Sequence, residues 1–170
     1  MMRTYITALL HDIGKVGLSK EILLKPAKLT TLERTIVESH VHIGNRILRK
    51  ELGKTRPASF VRDHHENWNG TGYPRGLVGE DISIQGRIIR ICDSFDVMTY
   101  DTRDYKLTKM AYYDAFEELK RCKWTDFDGN LVDEFINMLI EIELPDSWYD
   151  EYNAEFMKKM FKELDLKELM

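Results

Sequence analysis

Apolar residues recur along the chain at intervals of three and four, and strand-like alternation is scarce, so the pattern predicts an all-α domain. Tyr5–Asp12 reads as the end of a helix, broken by Gly14 and Gly17. Ser19 is placed to cap a short turn over Lys20–Leu24, which Pro26 stops. Thr30 or Thr31 opens a long helix to about Leu52, ahead of Gly53 and a break at Pro57. Ala58–His65 is the next helix. Residues 69–79 read as a loop, with glycines at 70, 72, 76 and 79 around Pro74. Ser83 caps a helix running through about Tyr100. Further helices are expected at about Met110–Cys122, Leu131–Ile142 and Trp148–Leu164, with turns at Asp128-Gly129 and Pro145. The last places Phe156, Met160 and Leu164 on one face, the pattern of a packing helix. Residues 1–145 are read as one domain and 146–170 as a C-terminal helical extension.

Five histidines sort by helical face. His40 shares a stripe with Ile36, Ile43, Gly44 and Ile47, whereas His42 falls beside Glu38, Ser39, Asn45 and Arg46 and should face solvent. A lone histidine on such a stripe is ordinarily a hydrogen-bonded core residue, so His40 alone decides little. In the run Arg87–Thr99, Ile88, Ile91, Cys92, Phe95 and Met98 make most of the circumference apolar, which predicts burial on several sides. Two carboxylates one turn apart, Asp93 and Asp96, then require an explanation, because an unpaired buried carboxylate costs several kcal/mol. Asp96 is assigned to capping or bracing backbone and Asp93 to a cation. Adjacent His64 and His65 point about 100° apart on a helix. They can share a cluster only where that helix ends against the loop at Asn67–Asn69. Together with His11-Asp12 behind the apolar Leu9-Leu10, these residues form a set of six nitrogen and oxygen donors. The six, His11, Asp12, His40, His64, His65 and Asp93, include no thiolate, which favours iron, manganese or a similar divalent ion over structural zinc. A carboxylate such as Asp12 can bridge two ions about 3.5–4 Å apart, so the constellation reads as a multinuclear hydrolytic centre.

Composition narrows the picture. At 170 residues, 43% hydrophobic and 32% charged, the chain can bury a sizeable core. A net charge of -4 argues against binding a nucleic-acid polymer, and an anionic substrate would need a local cation cluster. Cys92 and Cys122 have no CxxC partner and read as buried free thiols in a reducing compartment. Neither a secretion signal nor a run of roughly 18 apolar residues is present, so the expected location is the cytoplasm, with no membrane contact.

The motifs "LLHDIGKVGL", "HVHIG", "HHENWNGTGYPRGL", "ICDSFDVMTYDTRDYK" and "FDGNLVDEF" follow one another in an order and spacing that resemble the HD-GYP family, a branch of the HD-domain metal-dependent phosphohydrolases. The likeness covers residues 8 to 142. It implies an HD-domain helical bundle with a GYP loop that hydrolyses cyclic di-GMP to linear pGpG, with further cleavage to GMP left open, using two or three divalent metal ions, iron or manganese. By matching motifs, Asp12 would bridge metals beside His11. His40, His64 and His65 would hold the second ion, and Asp93 would complete the first. Asp12 and Lys15 are the catalytic candidates, and Lys15 would also meet substrate phosphate. Gly72 and Tyr73, with Pro74, would shape the guanine and phosphate pocket and contact signalling proteins of the GGDEF type. Tyr73 could stack on a base or simply pack the loop. Arg103 and Lys106 match the basic pair that touches ligand.

The family also carries a ligand-bearing helix upstream of the HD pair, which this sequence lacks ahead of Leu9, so the centre is expected to be open on its N-terminal side. Asp104 and Ala27 stand where the family tends to have proline and glycine. Two other readings stay open: a catalytically impaired module that binds cyclic di-GMP or partner proteins, and a phosphohydrolase of another nucleotide. A homodimer is compatible with each.

Overall fold

A computed structural model describes residues 2–50, 53, 55–99, 110 and 112–141. Among the described residues the architecture is helical, with isolated bridges at Asn69–Val78 and Lys123–Phe127 and no strand. The helices are α1 (Met2–Leu10), α2 (Lys20–Leu23), α3 (Thr31–Glu38), α4 (His40–Lys50), α5 (Thr55–Asp63), α6 (Ile84–Thr99), α7 (Tyr112–Arg121) and α8 (Gly129–Glu141). Short 3-10 turns cover Ile13–Gly17 and Gly79–Asp81. The expected helix at 148–164, and with it the proposed extension, lies outside the described residues.

Caps set the helix starts as anticipated. Ser19 Oγ accepts from the Glu21 N–H at 3.2 Å. Thr30 and Glu33 form a reciprocal capping box, with Glu33 N donating to Thr30 Oγ1 at 3.3 Å and Thr30 N to Glu33 Oε2 at 2.8 Å. Gly86 N donates to Ser83 Oγ at 3.3 Å at the head of α6. The long helix expected from Thr30 to Leu52 is instead two, separated at Ser39. The cause is local competition for carbonyls: Ser39 Oγ donates to Ile36 O at 2.6 Å and His40 Nδ1 to Val37 O at 2.7 Å. α5 likewise begins before Pro57, which sits in its first turn where no intrahelical donor is lost.

Two apolar clusters carry the packing. In the first, Leu48, Ala58 and Val61 of α4 and α5 meet Leu10 and Ile13. In the second, Ile91 and Phe95 of α6 pack on Ala115, Phe116 and Leu119 of α7, Cys122, Phe127, and Val132 and Ile136 of α8. α6 is less enclosed than its composition suggests. Ile89, Ile91, Phe95 and Thr99 are buried, but Ile84, Cys92, Asp96 and Val97 are exposed. Cys92 is therefore not a buried thiol, while Cys122 is. Asp96 needs no buried partner, because its charge stands in solvent. Both corrections arise because apolar residues on an outward face need no burial, so composition alone overstates it.

A close crossing fixes the position of the turn after His11-Asp12. A Cβ on Gly14 would lie 1.9 Å from the His40 carbonyl oxygen and 2.6 Å from Gly44 N, so only glycine lets this turn lie on α4. That contact brings Asp12 to His40.

Candidate metal centre

Asp12 leads out of α1, His40 opens α4, and His64 and His65 follow the end of α5. One donor atom from each of these four lies within 4.8 Å of all the others. His40 Nε2 is 3.3 Å and His64 Nε2 4.0 Å from Asp12 Oδ1, and the two nitrogens are 3.4 Å apart. His11 Nε2 lies 3.4 Å from Asp12 Oδ2 and 3.8 Å from Asp93 Oδ1, which brings the remaining two residues to the same place. His42, by contrast, is exposed as its helical face required.

The imidazoles are oriented by backbone. His11 Nδ1 contacts Ala8 O at 2.8 Å, His40 Nδ1 Val37 O at 2.7 Å and His64 Nδ1 Val61 O at 2.5 Å. A carbonyl only accepts, so each Nδ1 carries the proton, and in the neutral ring Nε2 presents a lone pair. For His40 and His64 those lone pairs face Asp12 Oδ1, which is buried and has no hydrogen-bond partner among the described residues. Three acceptors turned toward one point with no donor between them make a site that could hold a cation.

Titration follows the same geometry. Hydrogen bonding to Asp12, then to Asp93, raises His11 to about 10. Burial would raise Asp12, but hydrogen bonding, that of His11 first, outweighs it and holds the carboxylate below its usual range. Burial lowers His64 to about 4, and burial beside the neighbouring imidazoles lowers His65 as well. His64 and His65 are thus neutral, as ligands must be, near pH 7.

A cavity of about 450 Å³ opens beside the cluster, lined by Lys15, His40, His65, Tyr73, Asp93 and Val97 among others. Lys15 is paired with the Asp12 carboxylate. Tyr73 stacks on His65 at 4.8 Å between ring centroids, and burial pushes its phenol pKa up, so it stays protonated. Gly72 seats it: a Cβ there would fall 2.2 Å from Asn67 N and 2.5 Å from His65 O. Arg103 and Lys106 lie outside the described residues.

Two residues of the site escaped the sequence reading. Glu66, only 1% exposed, accepts from Arg75 N at 2.8 Å and Leu77 N at 2.9 Å. Asp63, 3% exposed, pairs with Arg75 Nη2 at 2.6 Å. Together they strap the 70–79 loop to the end of α5. A carboxylate on either side of two adjacent histidines, ahead of a glycine-rich loop, was the available signal.

A family profile described as HD domain matches residues 2–131. The chain belongs to the HD-domain family. As an HD domain it is a divalent-metal-binding protein, and the cluster around Asp12 could hold such an ion. This HD domain is 40% identical over 139 residues to the cyclic di-GMP phosphodiesterase of Thermotoga maritima, covering 78% of this chain and 36% of that protein. It is 38% identical over 152 residues to the 3'3'-cGAMP-specific phosphodiesterase 2 of Vibrio cholerae, covering 81% of the chain and 27% of the relative. The chain therefore spans about a third or less of these relatives' length. In fold it resembles the crystal structure of a cyclic GMP-AMP-specific phosphodiesterase of Vibrio cholerae, with TM-score 0.61, 21% identity, and coverage of 86% of this chain and 41% of the other. No described helix is long and apolar enough to cross a membrane.

Proposed function

We propose that this HD domain is a metal-dependent phosphodiesterase of cyclic dinucleotides, with cyclic di-GMP as substrate and linear pGpG as first product. The observation that carries the reading is the convergence of backbone-locked Nε2 lone pairs on the unpartnered Asp12 Oδ1. Asp12, His40, His64 and His65 would hold one divalent ion. His11 and Asp93, sharing Asp12, would hold a second, with iron or manganese fitting the all-nitrogen and oxygen donor set. The chemistry such ions supply when bound is activation of water near neutral pH and neutralisation of phosphoryl charge.

The chain's own residues do the rest. Asp12 carries the shared negative charge, and its position is set by the Gly14 crossing. Lys15 lines the cavity as the cation that would meet a phosphate oxygen. Tyr73, stacked on His65, forms part of the cavity wall and shields one face of that imidazole from water. Relatives named for cyclic di-GMP and for 3'3'-cGAMP support the cyclic-dinucleotide class. Thr71, Arg75 and Val78 at the loop's outer edge are exposed, which suits contact with partner signalling proteins of the GGDEF type.

The test is product chromatography after incubating cyclic di-GMP with the chain reconstituted anaerobically with iron or manganese. Turnover is expected, lost in Asp12→Ala and His65→Ala and on chelation. Turnover undiminished in metal-free protein would overturn the proposal, and saturable binding with no product would leave a binding module.

A further inference from the structure

A second cavity, of about 350 Å³, lies against α6. Asp93 and Val97, one helical turn apart, line both it and the metal-side cavity, so the two cavities share a wall on α6. Its volume sits at the low end of the ~300–1,000 Å³ typical of small-molecule pockets, a size suited to a single ring system.

Arg90 is fixed in its wall. Nε and Nη2 donate to Asn67 Oδ1 at 3.2 and 3.1 Å, and Nη1 donates to Ser94 Oγ at 2.8 Å. The guanidinium also lies 5.4 Å from the Phe127 ring centroid. No described carboxylate comes within ion-pair distance of it. Of its five N–H groups three are engaged, which leaves one on each terminal nitrogen, the pair that grips two neighbouring acceptors. Asp126 lines the same cavity, and its carboxylate has no described partner. Glu118 in the same wall is paired with Arg121 and Asp93 faces His11, so the Asp126 carboxylate is set against the single guanidinium, a balance that disfavours a phosphate here and favours a neutral ring bearing both acceptors and donors.

We propose that this cavity takes a guanine base of the substrate, with Arg90 reading O6 and N7 and Asp126 accepting from N1–H and the 2-amino group. The assignment rests on the cyclic-dinucleotide reading above. Adenine fits neither wall: it turns an amino donor toward the guanidinium and a bare ring acceptor toward the carboxylate.

The test measures binding and turnover of cyclic di-GMP and cyclic di-AMP by the manganese-loaded chain, alongside Arg90→Lys and Asp126→Asn. Lysine keeps the charge and loses the fork. Each variant is expected to lose about tenfold or more in affinity for cyclic di-GMP and to change less than about threefold for cyclic di-AMP, with metal content and far-ultraviolet circular dichroism unchanged. Equal losses on both nucleotides, wild-type behaviour of both variants, or full rescue by lysine would overturn the pocket. Selective, Arg90-dependent binding without cleavage would uphold the pocket and overturn the hydrolase reading. Cleavage indifferent to Arg90 and Asp126 would do the reverse, and a wild type that binds neither nucleotide would overturn both.

Discussion

Gly14→Ala isolates the contact that builds the centre. The new Cβ would sit 1.9 Å from the His40 carbonyl oxygen, 2.6 Å from Gly44 N and 2.7 Å from the His40 carbonyl carbon, all backbone atoms that no rotamer change can move. Relief requires the turn and α4 to separate by more than about 1 Å, and overpacking of this kind costs about 1–3 kcal/mol. Asp12 lies two residues from Gly14, and its Oδ1 is 3.3 Å from His40 Nε2, so the same shift opens the donor cluster. Misplacement by about an ångström costs on the order of 100-fold in turnover, and loss of ligand alignment about 10–100-fold in metal affinity. Gly17→Ala is the control. Its Cβ would meet only the Ile43 side chain, at 3.1 Å, which can give way, so an effect within about 0.5 kcal/mol is expected. Urea denaturation and manganese titration of both variants provide the assay. Wild-type stability and metal affinity in Gly14→Ala would show that the crossing at Gly14 does not position Asp12.

Glu66→Ala removes the shared acceptor for Arg75 N and Leu77 N and should destabilise the protein by about 2–3 kcal/mol, read by urea denaturation, with faster amide exchange confined to residues 70–79. Metal binding near pH 7 should release a proton, because His11 is raised to about 10 and starts protonated whereas His64, lowered to about 4, starts neutral. Calorimetry in buffers of different ionisation enthalpy measures this release, and a buffer-independent heat would contradict it. Glu33 is lowered to about 2, chiefly by the Lys25 ammonium and then by the Thr30 N–H, so its folded pKa lies below the unfolded value of 4.5. Its stabilisation is present above pH 4.5 and disappears as pH falls toward 2. The stability gap between wild type and Glu33→Gln should narrow over that range.

Much of this was legible in residue patterns. Ser19, Thr30 and Ser83 marked helix starts because capping depends on local chemistry that a few neighbouring residues specify. The His40 stripe and its exposed neighbour His42 followed from helical period alone. The His64-His65 pair converged as expected, since α5 ends at Asp63 and the chain turns there. The break at Ser39 was not legible, because two side chains outcompete helix donors for the Ile36 and Val37 carbonyls only in that fold. Cys92 and Asp96 were misread because, among the described residues, α6 turns a partly apolar face outward. Asp63 and Glu66 were overlooked because their partners, on the 75–83 segment, are defined by loop geometry rather than by sequence period.

Anomalous diffraction from crystals of the manganese-loaded chain would locate a divalent cation held by side chains that only distant helices bring together. A strong peak is expected within bonding distance of Asp12 Oδ1 and the His40 and His64 Nε2 atoms, absent from Asp12→Ala crystals. A peak elsewhere, or one that persists without the Asp12 carboxylate, would contradict that placement.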